Sequence, residues 1–158
     1  MTSLATRRQV LGLFAAVSVG AFGAPLLAQE ALPTIAVSKD PECGCCNGWV
    51  DRLRQAGFPV TVAEATDLSS IKARLGVPQK LSSCHTGEVR GYVIEGHVPA
   101  DAIKRLLREK PQASGLAVPG MPIGSPGMEG GEPEEYEVVL FGKDGQSTFG
   151  RYRESTAL

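Results

Sequence analysis

The sequence predicts a single α/β domain with a central mixed sheet flanked by helices. Short β-branched runs alternate with segments whose apolar residues recur at helical spacing. Gly or Pro punctuates the junctions between them. About 130 residues follow an export-type leader, enough for one small domain with a modest core.

The leader comprises residues 1–28. Thr6-Arg7-Arg8-Gln9-Val10-Leu11 is a twin-arginine signature, the apolar run lasts from Leu11 to about Ala24, and no acidic residue precedes Glu30. That pattern is a secretory signal, too short and wrongly flanked for a stable membrane span. Cleavage after Ala28 leaves residues 29–158 as a periplasmic domain with no membrane attachment; an uncleaved anchor is the alternative. Removing Arg7 and Arg8 from the 16 basic residues leaves 14 against 17 acids, a formal charge of −3. Nucleic-acid binding, which needs a basic face or stripe, is not expected.

The elements follow in order. Thr34 to Ser38 is a β-branched strand, followed by the Pro41-Glu42-Cys43-Gly44-Cys45-Cys46 turn. From Asn47 to about Gln55, Trp49, Val50 and Leu53 fall at helical spacing, and Gly57 stops the helix. Phe58 to Ala63 reads as a second strand. Asp67 to Leu75 reads as a second helix, capped by Thr66 or Asp67 and ended by Gly76. Val89 to Ile94 is the third strand, and Pro99 to Glu109 the third helix, with Ile103, Leu106 and Leu107 on one face. Gly115 to Pro133 is a Gly/Pro/Met-rich loop without regular structure, carrying Met121 and Met128. The chain closes in a hairpin, Tyr136 to Phe141 and Ser147 to Tyr152, turned at Lys143-Asp144-Gly145.

This β-α-β-α-β-α-β-β order, with cysteines at the first strand-to-helix junction, is the plan of a thioredoxin-like domain. Cys43 and Cys46 alone form its C-x-x-C. At a helix N-terminus the exposed N–H groups and the helix dipole favour a thiolate. Cys45 inside the motif invites disulfide scrambling, and Cys84 adds a fourth sulfur on a loop expected to return beside the first helix. Thiolates are soft ligands that select Cu(I), zinc or iron–sulfur clusters. Copper is favoured on softness and spacing, because tetrahedral Cys₄ zinc sites usually draw on more widely spaced cysteine pairs. Two ordinary disulfides, Cys43–Cys46 and Cys45–Cys84, are the structural alternative.

Four motifs carry a resemblance. They are Cys43-Gly44-Cys45-Cys46-x-x-Trp49, Ser83-Cys84-His85-Thr86, the run from Gly91 to Pro99, and the run from Gly115 to Glu129 with its Val118-Pro119-Gly120-Met121-Pro122 core. In this order they resemble a bacterial periplasmic copper-resistance family, the CopG-like family, long described as a domain of unknown function. The resemblance spans residues 34–142. It implies a thioredoxin-like fold that binds copper through the matched cysteines, with a role in copper redox handling or detoxification. Many members carry a histidine three residues after the tryptophan, where this chain has Arg52, so no metal role transfers to that position.

The expected metal ligands are therefore Cys43, Cys45, Cys46, Cys84, His85 and Met121, holding Cu(I), with several ions bridged by sulfur as one form and zinc as the alternative metal. His85 either binds metal or orients a ligand. For His97 a turn-forming or backbone-bonding role is the plainer reading. Methionine thioethers suit Cu(I) but also fill gaps in small cores. Trp49 is expected to pack the first helix onto the sheet. The Gly120 to Gly131 stretch lacks a P-loop ending and reads instead as a lid over the cysteines. Three function classes follow. The first is a copper-binding protein, with Cu(I)/Cu(II) cycling and periplasmic copper-handling or electron-transfer partners as its enzyme-like form. The second is a thiol–disulfide oxidoreductase, and the third a structural domain stabilised by zinc or disulfides.

Overall fold

The computed structural model describes residues 31–158, so the signal assigned to residues 1–28 and its cleavage after Ala28 lie outside the described residues. The elements are β1 (Ile35–Lys39), α1 (Gly44–Gln55), β2 (Val60–Glu64), α2 (Leu68–Arg74), a 3₁₀ turn (Gln79–Leu81), β3 (His85–Val89), β4 (Tyr92–Glu95), α3 (Ala100–Glu109), β5 (Gly115–Ala117), β6 (Glu135–Gly142), β7 (Gly145–Arg153) and β8 (Thr156–Ala157). All the strands join one mixed sheet in the order β2-β1-β3-β4-β5-β6-β7-β8. β1 runs parallel to β2 and β4 parallel to β5, while β1 and β3, and β3 and β4, pair antiparallel. This order is compatible with the thioredoxin-like plan.

Alternation along the strands separates two apolar layers. Ile35, Val37, Ile94, Leu116 and Val138 share one cluster with Trp49, Val50 and Leu53 of α1 and Ile103 and Leu106 of α3. Val93, Ala117 and Phe141 take the opposite face, against Leu75, Val77 and Leu81 around the end of α2 and the 3₁₀ turn. Fully burying each Leu or Ile in such a layer contributes about 1.5–3 kcal/mol, so the helical periodicity of α1 and α3 is what seats them.

Apart from the 3₁₀ turn and β8, which have no counterpart in the sequence reading, three elements differ from it. First, the single strand expected over Val89 to Ile94 is a hairpin. Arg90 and Gly91 both have positive φ (49° and 85°), the two-residue turn that matches strand twist, so β3 and β4 are separate strands. Second, Gly115–Ala117, expected as irregular, is a strand that links the C-terminal hairpin to β4. Third, α1 begins at Gly44 rather than Asn47, with Cys43 as its N-cap. The Cys43 Sγ accepts the Cys46 N–H at 3.3 Å, which occupies one of the donors a helix start leaves free. Asp67 caps α2 by accepting the Ser70 N–H at 3.1 Å, and the C-terminal hairpin forms where expected.

Candidate metal centre

The cysteine turn is built by its neighbours. Lys39, buried at the end of β1, donates its ammonium to the Asp40 and Pro41 carbonyls at 3.0 and 3.4 Å. The Cys43 N–H donates to the Asp40 carbonyl at 3.1 Å. These bonds turn the chain into α1 with Cys43 at the cap and Cys45 and Cys46 in the first turn. No acidic side chain occupies that turn, so the cysteine sulfurs there take the place an anion usually holds at the positive end of the helix dipole.

Cys43 and Cys46 are joined in a disulfide, while Cys45 and Cys84 are free thiols. The Cys45 Sγ lies 3.4 Å from the Cys43 Sγ and 3.9 Å from the Cys84 Sγ. The loop before β3 thus returns beside the start of α1, and all four sulfurs converge. The Cys45–Cys84 bridge of the two-disulfide alternative is not formed.

A second group shares Cys84. Its Sγ lies 3.3 Å from the His85 Nδ1 and 3.5 Å from the His97 Nε2, and both imidazoles are fully buried. The other nitrogen of each ring faces a backbone carbonyl: His85 Nε2 to Gly96 at 3.0 Å, and His97 Nδ1 to Pro126 at 2.9 Å. A carbonyl only accepts, so these nitrogens carry the protons. The nitrogens facing Cys84 are therefore left with free lone pairs, the tautomer a metal ligand needs. The four sulfurs form one cluster of potential metal donors, and Cys84, His85 and His97 a second.

Burial sets the charge states. Loss of solvation, with Cys45 alongside, pushes the Cys84 thiol up to about 11. Burial, with His97 alongside, pulls His85 down to about 3, and burial also lowers His97. Both imidazoles are neutral at pH 7. The unfolded chain takes up a proton at His85 near pH 6.5, whereas the folded protein does so only near 3. Stability is thus full above about pH 6.5 and declines as pH falls, by up to about 1.4 kcal/mol per pH unit for this residue. Urea midpoints of the metal-free protein should drop between pH 7 and 4.5, before most carboxylates titrate. A flat profile would contradict buried neutral histidines.

Trp49 packs α1 onto the sheet as expected, donating its indole N–H to the Val98 carbonyl at 2.9 Å. Its ring also stands 4.3 Å from that of His85, forming an apolar wall of the site. The Gly/Pro-rich loop lies against the start of α1. Gly127 has φ +90°, and a Cβ there would stand 2.5 Å from the Trp49 backbone nitrogen and 2.6 Å from the Cys45 carbonyl oxygen. Two further contacts seat the loop, the Pro126 carbonyl on His97 and Glu129 on Arg52 at 2.8 Å. Arg52, which stands where the family resemblance leads one to expect histidine, thus anchors the loop.

Of the residues expected as ligands, the structure brings together Cys43, Cys45, Cys46, Cys84 and His85. Met121 is 53% exposed, on the loop whose Gly120 carbonyl accepts the Ser83 hydroxyl at 3.4 Å, and Met128 is half-buried. His97, read from sequence as a turn-forming or backbone-bonding residue, does bond the Pro126 carbonyl, and its other nitrogen also stands inside the site. Its spacing from Cys84 comes from β3–β4 pairing, and the sequence carried no signal for that except the nearby Gly96-His97-Val98-Pro99 motif.

Comparison with known proteins finds a family model and solved structures similar to this chain. A family model described as "Protein of unknown function, DUF411" matches residues 81–128, which include Cys84, His85, His97 and the loop. None of the curated proteins compared with the chain matches it. Two solved structures, "Copper resistance protein copG- Form 1" and "Form 2", are each 46% identical to it. Each match covers 77% of this chain and 98% of the other, with TM-scores of 0.72 and 0.73. The chain belongs to the CopG-like copper-resistance family.

Proposed function

We propose that this is an exported copper-binding protein that holds Cu(I) on Cys43, Cys45, Cys46 and Cys84, with His85 and His97 completing the donor set. The convergence of four sulfurs and two lone-pair-bearing imidazoles carries the reading. It is supported by 46% identity to structures named for copper resistance. Thiolate sulfur is soft and bridges metal ions, so the crowded set favours several copper ions over one. Zinc takes four thiolates tetrahedrally, but its sites usually separate paired cysteines by two or more residues. Donors of both kinds, sulfur and imidazole, suit copper in either oxidation state and underlie Cu(I)/Cu(II) cycling as part of the proposal. Met121 is proposed to reach the site from the rim of the loop. Export of residues 29–158 to the periplasm, by a twin-arginine leader over residues 1–28, is part of the proposal, with copper-handling or electron-transfer proteins as partners; among the described residues no helix is long and apolar enough to cross a membrane.

The Cys43–Cys46 disulfide favours a second reading, a thiol–disulfide oxidoreductase. The two readings separate on metal content. Metal analysis of the anaerobically reduced mature protein should find more than one copper per chain, with the thiols protected from alkylation. Stoichiometric zinc, or no copper uptake, would overturn the proposal. The disulfide also sets a condition on loading. With it closed only two thiols remain, so oxidised protein should take up no more than about half the Cu(I) of reduced protein. Equal uptake by both forms would exclude Cys43 and Cys46 as ligands.

A further inference from the structure

Next to the cysteines lies a buried charge cluster that the copper reading does not use. Glu95, the last residue of β4, is fully buried. Its Oε1 accepts the Lys72 ammonium at 2.5 Å and the Ser83 N–H at 2.6 Å, and its Oε2 accepts the Thr86 hydroxyl at 2.7 Å. Lys72, itself buried on α2, also donates to the Thr86 Oγ1 at 2.7 Å.

The partners are placed to matter. Ser83 directly precedes Cys84, and Thr86 directly follows His85. Glu95 is two residues before His97, and it pairs with Thr86 across the β3–β4 ladder. Residues 82–84 lie between the 3₁₀ turn and β3, outside any strand. One carboxylate thus ties down both flanks of the Cys84-His85 pair and the strand that leads to His97. As core filling the pair is a poor choice, because an apolar pair of similar volume is often as stabilising or more so. A carboxylate instead offers several acceptor sites with fixed directions.

We propose that Glu95, neutralised by Lys72, is a positioning residue that fixes Cys84 and His85 toward Cys45 and His97. The consequence for copper rests on the proposed function; the consequence for the metal-free thiol does not. Two double variants separate positioning from simple structural support. Lys72→Met with Glu95→Gln keeps an acceptor for the Ser83 N–H, whereas Lys72→Met with Glu95→Leu removes it. Neither leaves an unpaired buried charge.

Cu(I) affinity is read by competition with a chromophoric chelator. Cys84 reactivity is read as the alkylation rate of the metal-free, disulfide-closed protein, followed on the Cys84 peptide. The Gln variant should stay within about threefold of wild type on both. The Leu variant should bind Cu(I) about 10–100-fold more weakly, the usual cost of losing a group that orients a ligand. Its Cys84 should alkylate about fivefold faster as the loop loosens and exposes the thiol. If the Leu variant does not fold, Thr86→Val removes one of the three bonds to Glu95, and the Lys72–Thr86 bond with it, and should speed alkylation about threefold. Equal affinities and rates in the two folded double variants, or an unchanged rate in Thr86→Val where that variant stands in, would overturn the assignment. Should wild type take up no Cu(I), the copper reading fails, and the alkylation rates still decide the positioning claim.

Discussion

Cys84→Ser should empty most of the copper from the reduced protein while leaving the fold in place. Cys84 is the one thiol common to the sulfur cluster and the histidine group, so its loss cuts both donor sets at once. Losing a group that merely orients a ligand costs about 10–100-fold in affinity; losing this shared ligand should cost more than about 100-fold. Because Cys84 takes no part in the Cys43–Cys46 disulfide, stability should change by no more than about 1 kcal/mol, and reduction of that disulfide by a small dithiol should keep its rate. A chelator competition, a urea curve and a reduction assay on the same preparation check all three. Unchanged copper binding would point to the thiol-exchange reading. A large loss of stability with copper binding retained would point to a structural role for the thiol.

The second large effect is expected at Gly127. An alanine there must either adopt φ +90° with its Cβ against the Trp49 backbone nitrogen and the Cys45 carbonyl oxygen, or lift the loop off α1. A left-handed backbone strain plus a backbone clash costs on the order of 2–4 kcal/mol. Lifting the loop also withdraws the Pro126 carbonyl from His97 and breaks the Glu129–Arg52 pair. Gly127→Ala should therefore lower the urea midpoint and free the His97 tautomer, the latter visible in its ring nitrogen shifts. Gly44→Ala is the control. It lies in the C-x-C-C motif, is helical, and has nothing within 4 Å of an added Cβ, so it should be neutral or slightly stabilising. Equal effects at the two glycines would show that the loop is not seated on the helix as described.

What could be read from the sequence follows from where its signals are local. α1 and α3 announce themselves by Trp49-Val50-Leu53 and Ile103-Leu106, and the C-terminal hairpin by its Lys143-Asp144-Gly145 turn. The convergence of Cys84 on the C-x-C-C turn was also legible, because a thioredoxin-like order brings that loop back to the start of α1. β3 was not. His85-Thr86-Gly87-Glu88-Val89 lacks apolar alternation because several of its buried positions carry polar side chains, so periodicity found only the stretch from Val89 onward. The roles of His97 and of the Lys72–Glu95 pair arise from strand pairing and from α2 packing on the opposite face. Neither leaves a trace in residue spacing. Which cysteines pair was likewise open: the sequence allows two bridges, and the structure has one, leaving Cys45 and Cys84 free.

The central claim is that sulfur from all four cysteines holds copper. The most direct test is X-ray absorption on reduced, Cu(I)-loaded protein of residues 29–158. The expected result is a first shell dominated by sulfur, a smaller nitrogen contribution from the histidines, and copper–copper scattering from sulfur-bridged ions. A shell of nitrogen and oxygen alone, with no copper neighbour, would contradict it.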